Sequence, residues 1–554
     1  MTSGHRSLWT ALCGLAVLFG LTPYVSAEDP PTKPDGVEVL ARGPVHEAFA
    51  QLATGLPEPG QVAAKEPPKL IDELPPDQRP EGDNVQWVPG YWSWDDDGSD
   101  YVWVSGLWRM APADRRWLPG HWQAIDKGWQ WVAGFWAAAS ATEVQYLPAP
   151  PASLDQGPSA AAPDDNSTYV PGLWTYQQSR YYWRPGFWVG NQPNWVWSPA
   201  SYTWTPTGYL YNDGYWDRPL DQRGLLFAPV RFGSGWGGQP YTPQYVVSAD
   251  FLLGALFVRS FGQQYYFGDY FESGYATRGY TAWPEYRVGR NGYDPNYAYY
   301  RHQYAAQPLW EPALRDLYRA RIAGEVARPP HTLVQQVQVV NKLTGSKTGG
   351  VAVLKNINLT NAQSVTALAP LKEVHDLHVS ALGSLSQMKE SKVPVHVVKL
   401  EAVPKEEHAR AVKAAAQMRD AAQQRHQSEA KMLQEGGRPV AHTDPPKTVR
   451  LALPEPAPAV AAPRPVSKAV PPPPSTPKHE DRPIPKLEPS VPQKGPPAVT
   501  KESPPAKKEL PAVTKESPPA KKELPAVTNE PPPAKKELPA VTNEPPPAKK
   551  KEKK

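Results

Sequence analysis

The sequence predicts a mainly β protein: an antiparallel meander of short aromatic strands in two four-strand blocks, plus one long helix and a disordered Pro/Lys tail. Three observations carry the prediction. Seventeen of the 21 tryptophans lie between positions 87 and 216, inside a phrase Trp-x-x-Gly-x-Trp that recurs at a fixed step. One Ala/Gln/Lys/Glu-rich segment, 404–436, has helix-forming composition over its whole length and stops at Gly436-Gly437. Many of the 70 prolines fall beyond position 437, where a chain so composed has too little apolar surface to pack a core.

From the N-terminus, His5 and Arg6 precede a mostly apolar run over 8–21, and Val25-Ser26-Ala27 offers a small-residue cleavage site. This is the pattern of an export signal over 1–27. The run is short for a membrane span, so cleavage is expected over retention as an anchor. That leaves no transmembrane segment in the mature chain. The only cysteine, Cys13, sits inside the signal, so the mature protein gains nothing from disulfides or thiolate metal sites. Residues 28–84 read as a Pro-rich leader, with a short turn at 70–74 and prolines after it that stop regular structure.

The aromatic array covers 85–217. Its copies are Trp87-Gly90-Trp92, Trp103-Gly106-Trp108, Trp117-Gly120-Trp122 and Trp131-Gly134-Trp136. After a spacer at 139–168 come Tyr169-Gly172-Trp174 and Trp183-Gly186-Trp188, a decayed copy from Trp197 to Tyr202, and Tyr211-Gly214-Trp216. After a first step of 16, the steps within each block are all 14. Aromatics also alternate around the phrase, as at Tyr101/Trp103 and Trp129/Trp131, a period-two strand signal. Turn residues lie at 95–98, 112–115, 126–128 and 190–193. Each unit therefore reads as one strand and one tight turn, and reversing the phrase sets tryptophan over tryptophan, the cross-strand unit that stabilises a sheet. Residues five apart point to opposite faces of an ideal strand. Two devices address this: a bulge at the glycine that returns both rings to one face, which is favoured, or a type II turn at Pro-Gly. The two blocks either face each other as a sandwich or run on as one sheet.

Residues 218–330 keep the tyrosines and lose the period. The apolar run 246–258 is too short to span a bilayer, and 312–325 predicts a short helix with proline in its first turn. Residues 331–403 predict a small mixed unit with β-branched runs. The thin apolar stripe of 404–436 predicts a lone solvated helix or an oligomerising one. From 437 onward a second repeat, Pro-Ala-Val-Thr-Lys-Glu-Ser-Pro-Pro-Ala-Lys-Lys-Glu-Leu and its variants, predicts a disordered, polyproline-like tail to residue 554.

Charge excludes little by itself. The net of +4 combines a tail (497–554) with 13 Lys and 8 Glu and a nearly neutral remainder, which argues against nucleic acid as a partner. Chemistry-bearing constellations are weak. His375-x-x-His378, beside Glu373 and Asp376, lacks a third ligand at metal spacing and reads as a polar patch. The Asp95–Asp97, Gly98 and Asp100 run lacks the closing glutamate of a calcium loop and reads as a hairpin turn. There is no phosphate loop after a strand and no nucleophile elbow. His121 falls in a variable slot of the phrase and reads as a surface filler. No catalytic residue, cofactor or metal ligand is assigned.

The units Tyr101-Val-Trp103-Val-Ser-Gly106-Leu-Trp108 and Tyr181-Tyr-Trp183-Arg-Pro-Gly186-Phe-Trp188 resemble the YXWGXW repeat of exported bacterial proteins. The run 75–82 before the array and Tyr266-Phe-Gly-Asp-Tyr270 after it resemble the flanks in larger members. The resemblance covers roughly 70–330. It implies an exported protein and brings no assigned activity and no catalytic residues. Trp197 to Tyr202 departs from the pattern by lacking its glycine. The expected function is a non-enzymatic structural or protein-interaction module of the cell envelope, located in the periplasm, envelope or medium. The alternative is a glycan-binding module using exposed Trp and Tyr faces. The expected partner is accordingly an envelope protein or polysaccharide.

Overall fold

The computed structural model describes residues 36–52, 57–259, 262–344, 368–372, 398–436, 445–452, 455–458, 461–463 and 467–468. The expected export signal, the His375/His378 patch and nearly all of the Pro/Lys tail lie outside them. The protein is mainly β, built of many short antiparallel strands in small sheets.

The aromatic copies pair two by two. In the first hairpin Val85–Val88 lies against Leu107–Met110 with Trp87 opposite Trp108, and Tyr91–Asp95 lies against Asp100–Val104 with Trp92 opposite Trp103. The second hairpin sets Trp117 opposite Trp136 and Trp122 opposite Trp131. The third sets Tyr169 opposite Trp188 and Trp174 opposite Trp183. The fourth sets Trp197 opposite Trp216 and Tyr202 opposite Tyr211. Opposed rings meet edge-on or tilted at centroid separations of 5.2–5.5 Å, as in Trp92–Trp103 at 5.2 Å and Tyr169–Trp188 at 5.5 Å, the preferred geometry for aromatic quadrupoles.

Three expectations about this array are corrected. First, it is not a meander of two four-strand blocks, because successive hairpins do not pair with each other through the 112–115 turn. The outer edge of Leu107–Met110 is taken by Gly224–Leu225, so no edge remains there for Arg115–Leu118. Second, neither the bulge nor the type II turn is used. The ladder simply breaks at the two residues ending in the phrase glycine, and none of these glycines has positive φ, which a type II turn requires. Third, the rings at the two ends of a phrase do not return to one face. Trp87 and Trp108 pack with Leu225, Phe227 and Ala415, whereas Trp92 and Trp103 pack with Trp122 and Trp131. The parity of an odd spacing is obeyed, and each phrase feeds two cores.

The flanks are also ordered where irregular chain was expected. Within the leader, residues 41–52 are buried except for the half-buried Arg42 and Gln51, and Gly43–Pro44 joins the edge of a tyrosine-rich sheet of Leu256–Arg259, Gln264–Phe267 and Tyr280–Ala282. The spacer contains a strand, Glu143–Leu147, held between Gly208–Asn212 and Lys447–Arg450. That last strand, and Ser467–Lys468 beside Phe187–Gly190, lie in the stretch expected to be disordered. Open sheet edges on the array supply their backbone partners.

Helices complete the cores. Pro295–Gln303 begins with Pro at its first turn, and the Asp294 side chain accepts the Tyr297 N–H at 3.0 Å. Trp310–Ala323 buries Trp310, Leu314, Leu317 and Tyr318 and ends at Gly324 with φ 76°, a left-handed cap. The run at 334–340, read as β-branched, lies in the helix Leu333–Thr344. The long helix Lys405–Gln434 is neither solvated all round nor open for self-association along its buried stripe. Ala411, Ala415, Met418, Ala422, Arg425, Glu429 and Met432 are buried at steps of three and four, and the helix packs on the first two hairpins. Small alanines let it approach the strands closely. Among the described residues no helix is long and apolar enough to cross a membrane.

Candidate functional site

The repeated structural unit is the break in each hairpin. A strand that stops and resumes leaves N–H and C=O groups without ladder partners, and burial makes such orphans costly. The phrase residues solve the steric half of the problem. A Cβ on Gly106 would lie 2.5 Å from Trp87 Cζ2, on Gly134 2.5 Å from Trp117 Cζ2, and on Gly120 2.5 Å from Trp131 Cζ2. The same relation joins Gly172 to Trp183 at 2.4 Å and Gly214 to Trp197 at 2.5 Å, while Gly90 faces Trp103 Nε1 at 2.8 Å and Gly186 the Tyr169 hydroxyl at 2.1 Å. The glycine is therefore the seat of the opposing aromatic ring, and its job is space rather than an unusual backbone angle. The phrase without glycine places Ala200 in that slot, yet its hairpin still closes through Tyr202 and Tyr211 at 5.4 Å.

Residues outside the repeat solve the polar half. Glu73, from the leader, accepts the Gly90 N–H (2.8 Å) on one carboxylate oxygen and the Gly106 N–H (2.8 Å) and Trp103 Nε1–H (3.0 Å) on the other. Glu47 accepts Trp131 Nε1–H at 2.6 Å and the Gly134 N–H at 2.9 Å. Asp155, from the spacer, accepts the Tyr169 hydroxyl at 2.7 Å and the Gly172 N–H at 2.9 Å. Each of the first three hairpins thus has one carboxylate clasping its break. Burial pushes Glu47 up to about 7, against the pull of its Trp131 and Gly134 bonds and of Arg425. Burial likewise raises Glu73.

The freed carbonyls are met by cations and amides. Arg425 on the long helix donates to Ala133 O (2.9 Å) and Pro119 O (3.4 Å), Gln51 donates to Gly134 O (2.6 Å), and Arg115 donates to Gly214 O (2.9 Å). His46 Nε2 stands 3.1 Å from Pro89 O, and burial pushes this imidazole down to about 3. Arg425 is fully buried and also donates to Glu429 Oε1 at 2.8 Å, which in turn accepts the Tyr146 hydroxyl at 2.9 Å. Against burial, Arg425 first and His121 second hold the Glu429 carboxyl down at about 2. His121 is corrected from a surface filler to a buried residue, 3.4 Å from Glu429 Oε2 and tilted against His426 at a ring separation of 5.0 Å.

The aspartate run at 95–97 is a hairpin turn whose carboxylates are consumed by arginines. Arg231 reaches Asp95 at 2.8 Å, Arg259 reaches Asp96 at 2.5 Å, and Asp97 is shared by Arg42 and Arg278. Among the described residues no three His, Cys, Asp or Glu side chains gather where they could hold a metal ion. The sequence reading located the ring and glycine partners of each break and missed its acids. Their only signal was the apolar residues beside them, Ala48 and Phe49 after Glu47 and Leu70, Ile71 and Leu74 around Glu73.

No curated protein and no solved structure matches this chain. A family model described as WXXGXW repeat (2 copies) matches residues 82–109, 168–189 and 193–217. Those ranges are the first, third and fourth hairpins, and the second hairpin repeats their pairing outside the matched residues. Over these hairpins the chain carries the WXXGXW repeat, which matches the repeat family that its sequence resembles.

Proposed function

We propose that this protein is an exported, non-enzymatic module of the bacterial cell envelope whose aromatic array is a scaffold for protein interaction. The observation that carries the reading is how the repeat residues are spent. All eight phrase tryptophans of the first two hairpins are buried, with Trp103 at 0% and the most open, Trp122, at 8% exposure. Trp103 and Trp131 give their N–H groups to internal carboxylates, as do Gly90, Gly106 and Gly134, and Trp92 and Trp122 give theirs to backbone carbonyls. A ring committed in this way has no free face for a sugar, so these two hairpins read as framework. The leading 27 residues carry the export reading, and the Lys/Pro tail suits a spacer reaching through a charged polymer layer.

The test is made in the native host. Cells expressing the tagged chain are fractionated, and the mature N-terminus is read by mass spectrometry. The expected result is a mature chain beginning near residue 28 in the envelope or medium, crosslinked in intact cells to a defined envelope protein. A chain retaining its first residues in the cytoplasm would overturn the reading.

A further inference from the structure

The third and fourth hairpins repeat the contacts of the first and second. Trp92 Nε1–H donates to Lys69 O at 3.0 Å, and Trp174 Nε1–H donates to Ala152 O at 2.8 Å. The Tyr101 hydroxyl donates to Lys65 O at 2.7 Å, and the Tyr181 hydroxyl donates to Pro148 O at 2.6 Å. Trp122 Nε1–H reaches Trp92 O at 2.9 Å, and the Tyr202 hydroxyl reaches Trp174 O at 2.7 Å. Trp174 and Trp183 are thus the counterparts of Trp92 and Trp103. By the same registers Gln177, Arg180, Tyr182 and Arg184 stand where the first hairpin has Asp95, Asp100, Val102 and Val104.

The two rungs differ in their cover. The first sheet is extended by Val230–Phe232, with Val230 against Trp103, and then by Val37–Val39. Phe232 meets the Trp92 ring edge-on at 6.0 Å and is backed by Trp236 at 4.7 Å. Arg231 on the same strand pairs with Asp95 at 2.8 Å. Trp92 is left 6% and Trp103 0% exposed. In the third hairpin Leu173–Gln177 and Arg180–Arg184 form a sheet of two strands, so its edges are open among the described residues. Trp174 and Trp183 are only half-buried, and among the described residues each has no ring against it but the other's. Leu154, beside the clasping Asp155, is 53% exposed, whereas Tyr241 bonds the backbone on either side of Glu73.

The covered rung specifies what the open one takes. An open edge beside aromatic rings is completed by an extended segment, held by main-chain hydrogen bonds and by a side chain seated on the rings. Charge fixes the residue before that side chain. Continuing the register of Val230 on Trp103 sets Arg231 beside Val102, whose counterpart is Tyr182. Arg180 and Arg184 flank Tyr182 on the same face of its strand. Arg180 lies over the Tyr182 ring and Arg184 over the Phe187 ring, and neither has a carboxylate partner among the described residues. The acidic rung of the first hairpin is covered by a strand carrying arginine. The basic rung of the third is complementary to a strand carrying Asp or Glu at that place. We propose that the third hairpin receives an extended segment of a partner protein, which adds a strand along Arg180–Arg184, sets an aromatic ring on Trp174 and carries an acidic residue beside Arg180. The proposal rests on the protein-interaction reading and names its surface.

The test uses the full mature chain and isothermal titration with three synthetic peptides of residues 228–236, the native covering segment Ala-Pro-Val-Arg-Phe-Gly-Ser-Gly-Trp. One has the native sequence, one carries Arg231→Glu, and one carries Arg231→Glu with Phe232→Ala. Saturable binding of the Arg231→Glu peptide below millimolar concentration is expected. The native sequence should bind roughly tenfold more weakly, through lost attraction and added repulsion. Loss of the ring should weaken binding at least about tenfold. Arg180→Glu in the protein, at an exposed position, should reverse the preference between the first two peptides. Lys127→Glu, an exposed cation at the tip of the second hairpin, should leave binding unchanged. An unchanged near-ultraviolet spectrum establishes that each variant is folded. The proposal is overturned if the Arg231→Glu peptide does not bind, if the three peptides bind alike, or if Arg180→Glu leaves their order intact. Concentration-dependent dimerisation abolished by Arg180→Glu, with no peptide bound, would assign the face to a second copy and equally overturn it. Those results leave the scaffold reading standing, since that reading fails on cytoplasmic retention of the chain.

Discussion

Replacing Gly106 with alanine probes the central contact of the hairpins. The added methyl would stand 2.5 Å from Trp87 Cζ2, 2.7 Å from Val88 O and 2.8 Å from Glu73 Oε2. Carbon atoms in good contact sit at roughly 3.5–4.0 Å, so the overlap is about 1 Å on three sides. Trp87 is 1% exposed and Glu73 3%, and neither has solvent to move into. Overpacking of this kind costs ~1–3 kcal/mol, and with two rigid neighbours the upper end applies. Unfolding of a chain this size is not two-state, so the readout is amide hydrogen exchange in peptides covering 85–110. A loss of about 3 kcal/mol in local opening free energy speeds exchange there roughly a hundredfold. Gly274→Ala is the matched control. It lies in the helix Ser273–Thr277 with nothing within 4 Å of its Cβ position, and alanine there should be neutral or stabilising by ~0.5–1 kcal/mol. Shrinking the ring with Trp87→Phe should partly rescue Gly106→Ala, leaving the double variant ~1–2 kcal/mol better than the sum of the singles. Strict additivity, or exchange within a factor of two of the native chain, would refute the ring-on-glycine account.

Glu73→Gln turns one acceptor oxygen into a donor facing backbone N–H groups and should cost ~2–4 kcal/mol, seen as faster exchange at amides 90 and 106; unchanged protection there would show that the carboxylate does not hold the break. For Glu47 the folded carboxyl titrates near 7 against an ordinary 4.5, so the folded state binds the extra proton between those values. Its contribution is therefore fully present below about pH 4.5 and declines by ~3 kcal/mol as pH rises through 7, and Glu47→Gln should remove that slope from stability measured between pH 5 and 8. Arg425→Met leaves Glu429 buried and unpaired and should cost ~3–5 kcal/mol, whereas Arg425→Met with Glu429→Leu should recover most of it; limited proteolysis of 405–434 follows the release of the helix.

What the sequence made legible was whatever repeats. Ring-over-ring pairing within Trp122 and Trp131 follows from eight intervening residues and a turn signal at Asp126 to Gly128, and it holds. The same arithmetic applied to Trp108 and Trp117 fails, because spacing cannot reveal that Gly224 and Leu225 occupy the competing edge. The glycine was visible as a backbone requirement, but its reason was not. A bulge and a turn are local explanations, and the actual cause is an indole from a strand paired across the hairpin. The long helix was legible as a helix because helix-forming composition and a Gly436-Gly437 stop are local signals. Its docking was harder to see, since a face of Ala411, Ala415 and Ala422 has little apolar signal, and Arg425 and Glu429 look like an ordinary surface pair at i,i+4.

The dependence of each break on groups outside the repeat limits what the repeat can do alone. The first hairpin needs Glu73, the second Glu47 and Arg425, and the third Asp155. These come from the leader, the long helix and the spacer, segments with no resemblance to one another. Gaps between aromatic blocks are thus not passive linkers, because removing the spacer would strip the third hairpin of its acid and the fourth of its partner strand Glu143–Leu147. A tryptophan-glycine phrase supplies shape and apolar area, and in the first three hairpins a carboxylate from elsewhere in the chain accepts the N–H groups that its broken ladder leaves. In the fourth hairpin no acid plays this part among the described residues; its indole N–H groups do not set it apart, since Trp197 and Trp216 Nε1 lack partners just as Trp87 and Trp108 Nε1 do in the first. That hairpin is accordingly the one from which unfolding of the array should start, and its amides should exchange before those of the first.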